Sequence, residues 1–394
     1  MGYWSQMRAA DFIEFNPRLS IKKGAVAIKI AMDKLKPFTK KIPETEKAEF
    51  GGGSKFCNGD TIMARITPCL ENGKTAFVDI LEDNEIAFGS TEFIVMRARE
   101  GISDPQFVYY LATSPMFRNV AIKSMVGSSG RQRVQQSVLD ELELTVPSLE
   151  KQKQIGSFLA LLDKKIAVNN EINDNLQQQA QAIYRERFER VPSEDLPSGW
   201  RVVSLGEVAT ISNKSFNPLK ETERMLEHYS IPAFDEARFP VFELSTSIKS
   251  NKFVIDASCF MISKLNPTTK RVWKPYCLTE NAVCSTEFIV YKAKDESITD
   301  FLYSVIDSNS FSDFMCSHVT GSTGSRQRTT PSDTLSYELI LPSEDELAEF
   351  QSLVSPMYAQ MRINAIENDK LKRLRDSLLP KLMSGELDVS DIQL

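Results

Sequence analysis

The feature that most constrains this chain is that it is written twice. Ser90-Thr91-Glu92-Phe93-Ile94-Val95 returns as Ser285-Thr286-Glu287-Phe288-Ile289-Val290, a shift of 195 positions. The Gly-rich run GSSGRQR (127–133) answers GSTGSRQR (321–328), where one inserted residue leaves Arg131/Arg326 and Arg133/Arg328 at that same shift. Val146-Pro147-Ser148 answers Leu341-Pro342-Ser343 in turn. Upstream the matches drift: FCNGDTIMARITP, ending at Pro68, has a counterpart in CFMISKLNP, ending at Pro267, and Phe15-Asn16-Pro17 has one in Phe216-Asn217-Pro218. The order is kept throughout, which chance identity of short strings does not produce. At 394 residues the chain has room for such a duplication to build repeated units, each with its own core.

Each copy opens on a globular part and closes on a long helix. In 1–146 and 198–341, short β-branched and aromatic runs such as TAFVDI (75–80), TEFIVM (91–96), FVIDASCFMI (253–262) and TEFIVY (286–291) alternate with Gly, Asn and Pro. That alternation predicts mixed strands and short helices. Residues 147–190 and 342–385 read as helices, 191–197 as a linker rich in Pro and Ser, and 386–394 as a tail. The predicted class is therefore α/β (α+β): two similar globular domains and two long helices.

Periodicity decodes the helices. Spacings of 4 and 3 alternate through Ile155, Leu159, Leu162, Ile166, Asn169, Asn173, Leu176, Ala180 and Ile183, the 3.5-residue average of a coiled-coil seam. Moving each position by 195 gives Phe350, Val354, Met357, Met361, Asn364, Asn368, Leu371, Arg375 and Leu378, with asparagines at the same two places. An amide in such a seam costs stability but penalises a slipped pairing, so the two helices are expected to pair with each other as an antiparallel coiled coil. Packing of each helix on its own globular part is the alternative, but roughly 40 residues at about 1.5 Å each outrun a domain of this size. Ser343 with Glu346 writes a capping box, Ser148 caps the first helix, and Ser384-Gly385 closes the second. Pro356 and Pro380 are expected to kink the second helix or bound its straight part.

Chemistry of the chain's own is hard to place. His228 and His318, its two histidines, form no spaced pair for a metal site, and the six cysteines are scattered without a CxxC pair, reading as reduced thiols. No catalytic residue, metal or cofactor is expected. Gly73-Lys74-Thr75 lacks the first glycine of a phosphate-binding loop, the position being Pro68, and leads into a strand. Each Asn-Pro is followed by Arg, Leu or Thr, which removes an NPPY-like base-methylation motif. A self-contained methyltransferase or nuclease would need a motif not found, whereas a protein-binding scaffold with duplicated domains stays open. The N-terminus carries no basic leader with an apolar stretch, and no apolar run is long enough for a bilayer, so a cytoplasmic location without membrane contact is the expectation.

The repeated GSxG-RQR element is the candidate functional feature. A Gly/Ser turn exposes amides that can hold phosphate oxygens, and two arginines supply planar forks for phosphate or guanine edges. That assigns DNA contact to Ser128, Gly130, Arg131, Arg133, Ser322, Gly324, Arg326 and Arg328, with Lys22, Lys23, Lys40, Arg65, Lys264, Lys270 and Arg271 as further loop cations. Pairing of the same arginines with nearby carboxylates is the competing role, and residues alone do not choose. The net charge of −6 argues against strong DNA binding unaided.

At this point the chain resembles the specificity subunits of type I restriction-modification systems. The strings are Phe15-Asn16-Pro17-Arg18, Pro197 to Trp200 followed by Leu205-Gly206, the Gly-rich turn before VPSLEKQKQIG, and LLPKLMSGEL (378–387), in that order along nearly the whole chain. The resemblance implies two target-recognition domains (1–146 and 198–341), each reading half of a bipartite, asymmetric target in double-stranded DNA. It implies that the helical regions set the unread spacer and dock two modification subunits, with restriction subunits joining. Methyl donor and ATP would belong to those partners.

Overall fold

A computed structural model describes residues 4–128, 130–192, 195–220, 222–320 and 327–392. It groups into two units, Met1–Val168 with Asn368–Leu394, and Asn169–Glu367.

The first unit carries β1 (Trp4–Arg8), β2 (Ile13–Phe15), β3 (Val26–Ile30), β4 (Glu46–Glu49), β5 (Lys55–Phe56), β6 (Thr61–Ala64), β7 (Thr75–Phe77), β8 (Ala87–Gly89), β9 (Phe93–Ala98) and β10 (Glu143–Pro147). One sheet has the order β2-β9-β6-β7, another β4-β3-β8-β5, and β1 pairs with β10. All pairings are antiparallel except β3 with β8.

The second unit carries β11 (Arg201–Ser204), β12 (Ala209–Ile211), β13 (Ser215–Phe216), β14 (Met225–Tyr229), β15 (Val241–Leu244), β16 (Lys252–Val254), β17 (Cys259–Ser263), β18 (Val272–Trp273), β19 (Ala282–Ser285), β20 (Phe288–Ala293), β21 (Val319–Thr320), β22 (Arg328–Thr329) and β23 (Glu338–Leu341). Its sheets run β12-β20-β17-β18 and β13-β16-β19-β14-β15, with β11 on β23 and β21 on β22. Read element by element, this is the first unit's topology again with one added edge strand, β13, and it keeps the one parallel pair, β14 with β19.

The repeated TEFIV run becomes β9 and β20, and its apolar character follows from burial on both faces. Side chains alternate across a strand. Ile94 and Met96 therefore enter the core that holds Phe107 and Leu159, while Phe93 and Val95 enter a second core with Phe56 and Ile62. In the second unit Ile289 and Tyr291 face Phe301 and Phe350, while Phe288 and Val290 face Met261 and Trp273.

The Asn-Pro match does not survive folding. Phe15 ends β2, and Asn16 N donates to Val95 O at 2.7 Å; the equivalent bond in the second unit comes from Ser212 to Val290 O at 2.8 Å. Phe216 lies instead in β13, in the other sheet, paired with Lys252. Asn-Pro ends a segment wherever one must end. Asn16 does so at φ +50, and Asn217 by accepting from Leu219 N at 3.1 Å.

The long helices span Leu149–Tyr184, followed by a π turn at Arg185–Glu189, and Glu344–Ser384. The second runs through Pro356 and Pro380 without ending. In the first unit Ile155, Leu159 and Leu162 share a core with Leu379, Leu382 and Met383, and Asp163 pairs with Arg375 at 2.5 Å. In the second, Ala180, Tyr184 and Phe188 share one with Phe350, Val354 and Tyr358, and Arg187 pairs with Glu349 at 2.7 Å. Asn364 donates to Asn173 Oδ1 at 2.8 Å, Asn173 to Met361 O at 3.2 Å, and Asn169 to Glu367 Oε2 at 2.7 Å. Partners descend as residue numbers rise, so within each unit the helices pair antiparallel. The remaining seam positions, Ile166, Leu176, Ile183, Met357, Met361, Asn368, Leu371 and Leu378, are half-buried.

Candidate nucleic-acid interface

In the first unit the Gly-rich element is a hairpin closed by two bonds, Val126 N to Arg133 O at 3.0 Å and Arg133 N to Val126 O at 2.8 Å. Its turn needs glycine: Gly127 has φ +136 and Gly130 φ +79, in the half of backbone space that side chains disfavour. Ser128, Gly130 and Arg131 are exposed on it. The outgoing limb lies against Arg65–Thr67, with Val134 N bonded to Arg65 O at 2.9 Å and Thr67 N to Gln132 O at 3.0 Å. Arg65 N in turn donates to Glu92 O at 2.9 Å.

The Glu92 side chain completes the cluster. Arg133 donates from Nε to Oε1 at 3.0 Å and from Nη2 to Oε1 at 2.6 Å. These bonds hold the Glu92 carboxyl below the usual carboxylate range. Arg131, by contrast, makes no side-chain hydrogen bond or ion pair among the described residues.

The second unit repeats the arrangement. Lys264 N donates to Glu287 O at 2.9 Å, Thr329 N to Lys264 O at 3.1 Å, and Asn266 N to Gln327 O at 3.0 Å. Arg328 meets Glu287 twice, Nε to Oε2 and Nη2 to Oε1, both at 3.0 Å. Ser322, Gly324 and Arg326 lie outside the described residues.

Other sequence-predicted cations go elsewhere. Lys22 and Lys23 are exposed in the turn before β3, and no hydrogen bond or ion pair among the described residues joins them to the Gly-rich turn. Lys40 turns inward: its ammonium stands over the rings of Phe77, Tyr109 and Tyr110 and bonds Gln106 and the Tyr110 hydroxyl, the latter at 3.3 Å. Burial lowers its pKa to about 8. Lys270 donates to Asp307 O at 2.7 Å, and Arg271 is held by both oxygens of Asp235 at 2.6 and 2.9 Å. A guanidinium spent on a neighbouring carboxylate has fewer donors left for a phosphate.

Sequence reasoning passed over Glu92 and Glu287. The signal was available: a glutamate and an arginine that recur with one identical shift are a candidate contact.

The histidines sit in structural settings. His228 Nδ1 is 2.6 Å from Glu243 Oε1, and His318 stacks on Phe314 at 4.1 Å between ring centroids. All six cysteines are free, and among the described residues no group of His, Cys, Asp or Glu is placed to hold a metal ion. No helix is long and apolar enough to cross a membrane among the described residues. What the first unit's cluster can do is present turn amides, and an arginine with no side-chain partner among the described residues, to an anion.

The family described as "Type I restriction modification DNA specificity domain" matches residues 58–178, from β5's end through the Gly-rich hairpin into the first long helix. The chain is similar to type I restriction enzyme specificity subunits. The MjaIX specificity subunit of Methanocaldococcus jannaschii is 24% identical, over 73% of this chain and 70% of its own. The HindI specificity subunit of Haemophilus influenzae is also 24% identical, over 84% of this chain and 86% of its own. Among solved structures, the type I restriction-modification S subunit from M. genitalium shares the fold, with a TM-score of 0.57 at 14% identity over 97% of this chain and 96% of that one. The resemblance read from the repeated motifs therefore stands on sequence relatives as well as on the fold.

Proposed function

We propose that this chain is the DNA sequence-specificity subunit of a type I restriction-modification complex, non-catalytic itself and cytoplasmic. Recognition domains 1–146 and 198–341 each read one half of a bipartite target. The paired helices 147–190 and 342–385 fix the gap between the halves and dock two modification subunits, to which restriction subunits add. The observation that carries this reading is that the same arginine–glutamate pairing, Arg133 with Glu92 and Arg328 with Glu287, stands beside equivalent strands in both units, next to the Gly-rich element that recurs in the sequence. Two copies of one reading device suit a target with two read parts. Different loops around each copy suit halves of unlike sequence. In the first unit, the candidates best placed for DNA are the turn amides, Ser128, Arg131 and Arg65.

The test is the methylation pattern of cells expressing the chain with its modification subunit. Two short methylated motifs at one fixed separation are expected. Inserting one heptad into each long helix adds about 10 Å, and the gap should lengthen by about three base pairs. A single contiguous motif, or a gap that ignores the insertion, overturns the proposal.

A further inference from the structure

A carboxylate beside an anion-binding loop is electrostatically costly, because it repels the phosphates that the loop would attract. Yet each unit sets one there, Glu92 in the first and Glu287 in the second, and each is gripped by two donors of the same repeated arginine. The backbone tightens the arrangement. Arg133 is bonded in both directions to Val126, the next residue to Arg65 O, and Arg65 N to the carbonyl of Glu92 itself. The outgoing limb of the hairpin is thus fastened to the head of β9 through main chain and side chain together. A bidentate fork fixes orientation as well as distance, since the guanidinium is planar.

Resting on the specificity reading above, we infer that Glu92 and Glu287 are positioning residues: each clamps the second arginine of its Gly-rich element, and in the first unit this clamp presents the first arginine to DNA. Arg133 and Arg328 are then posts rather than readers. The presented group in the first unit is Arg131; its counterpart by sequence, Arg326, lies outside the described residues. The clamp acts on one half of the target at a time, because each pair lies within one unit.

The sign of a single substitution separates this from plain electrostatics. Glu92→Gln removes a negative charge, so if the carboxylate were only a counter-ion, DNA binding would tighten. If it is a clamp, binding loosens and selectivity falls, although the surface has become more positive.

The full chain co-purified with its modification subunits is incubated with a pool of randomised duplexes, and the bound fraction is sequenced. The unmutated complex should enrich a two-part motif. Glu92→Gln should lose preference in one part and keep the other, Glu287→Gln should do the reverse, and each should weaken binding to the selected duplex about tenfold or more. Arg133→Lys keeps the charge but loses the fork, and should match Glu92→Gln. In the free protein, amide exchange at Arg133 and Val134 should quicken in both variants. The melting temperature should move little, because Glu92 and Arg133 side chains are 24% and 46% exposed. Tighter or unchanged binding by Glu92→Gln, loss of both motif parts together, or unchanged exchange overturns the clamp while leaving the specificity reading standing. If the unmutated complex enriches no two-part motif, the specificity reading falls and the clamp with it.

Discussion

At one level of the helix pair the two units meet the same packing requirement with different chemistry. In the first unit Asp163 and Arg375 face each other, each side chain 12% exposed, and the Tyr110 hydroxyl donates to Asp163 Oδ2 at 2.5 Å. Against the cost of burial, the Asp163 carboxylate keeps the Arg375 guanidinium above its usual range. Advance Asp163 by the repeat shift and it becomes Tyr358; step Arg375 back and it becomes Ala180. Both are buried in the second unit, and the Tyr358 hydroxyl lies 2.8 Å from Ser304 Oγ. The short helices Pro105–Thr113 and Thr299–Ile306 align Phe107 with Phe301, so Ser304 stands where the first unit has Tyr110. The ring that the globular part supplies in one unit is supplied by the helix in the other. A ring is kept and charge is not, so the ion pair is one of two ways to fill this place rather than what sets the helix register.

The largest expected effect tests that equivalence. Arg375→Ala strands the Asp163 carboxylate in a buried site, and should cost the first unit about 3–5 kcal/mol. Hydrogen exchange of the β9 amides reports it, with those of β20 as the internal control. Importing the second unit's answer, Tyr110→Ser with Asp163→Tyr and Arg375→Ala, should recover most of the loss. A triple variant as unstable as the single one would break the comparison.

Lys40 sharpens it through pH. Burial depresses its pKa to about 8, against an ordinary 10.5, so between those values the unfolded chain binds more protons than the folded one. The destabilisation is fully present below pH 8 and is relieved as pH rises toward 10.5. The first unit should therefore gain roughly 2 kcal/mol relative to Lys40→Met-corrected behaviour over that range. Denaturant midpoints of wild type and Lys40→Met, measured at pH 7.5 and 10, check this; parallel pH dependence of the two would refute it.

The smallest effect concerns how the helices stop. Gly385 takes φ +76 after the second helix, and a Cβ there would come within 2.7 Å of the Trp4 ring. The first helix ends in its π turn, with Arg190 in ordinary right-handed backbone at φ −91. Gly385→Ala should cost about 1–2 kcal/mol, whereas Arg190→Ala should cost less than about 0.5 kcal/mol. Thermal unfolding of the two variants side by side compares them, and equal losses would mean that the two helix ends are not built differently.

Much of the architecture was readable because it rests on periodicity and repetition, which are local properties. A run such as Phe93 to Met96, apolar without a break, announces a strand covered on both faces, and the 4-3 spacing from Ile155 announces a helix with one buried seam. The Gly-rich turn was readable for a similar reason, since glycine at that density marks backbone that other residues resist. Reading failed where a short string stood for a place: Phe216-Asn217-Pro218 resembles Phe15-Asn16-Pro17, but strand pairing, not spelling, decides which residues are equivalent.

What the amino-acid sequence determined alone, then, is the duplicated plan, the element types and the helix seams, because each depends on residues close along the chain. Tertiary structure decided how the charges are spent. Whether Lys40 meets water or three aromatic rings, and whether Arg133 faces solvent or Glu92, depends on which distant residues arrive beside it. A charged group's free energy is set by those neighbours and by its burial rather than by its own position in the chain.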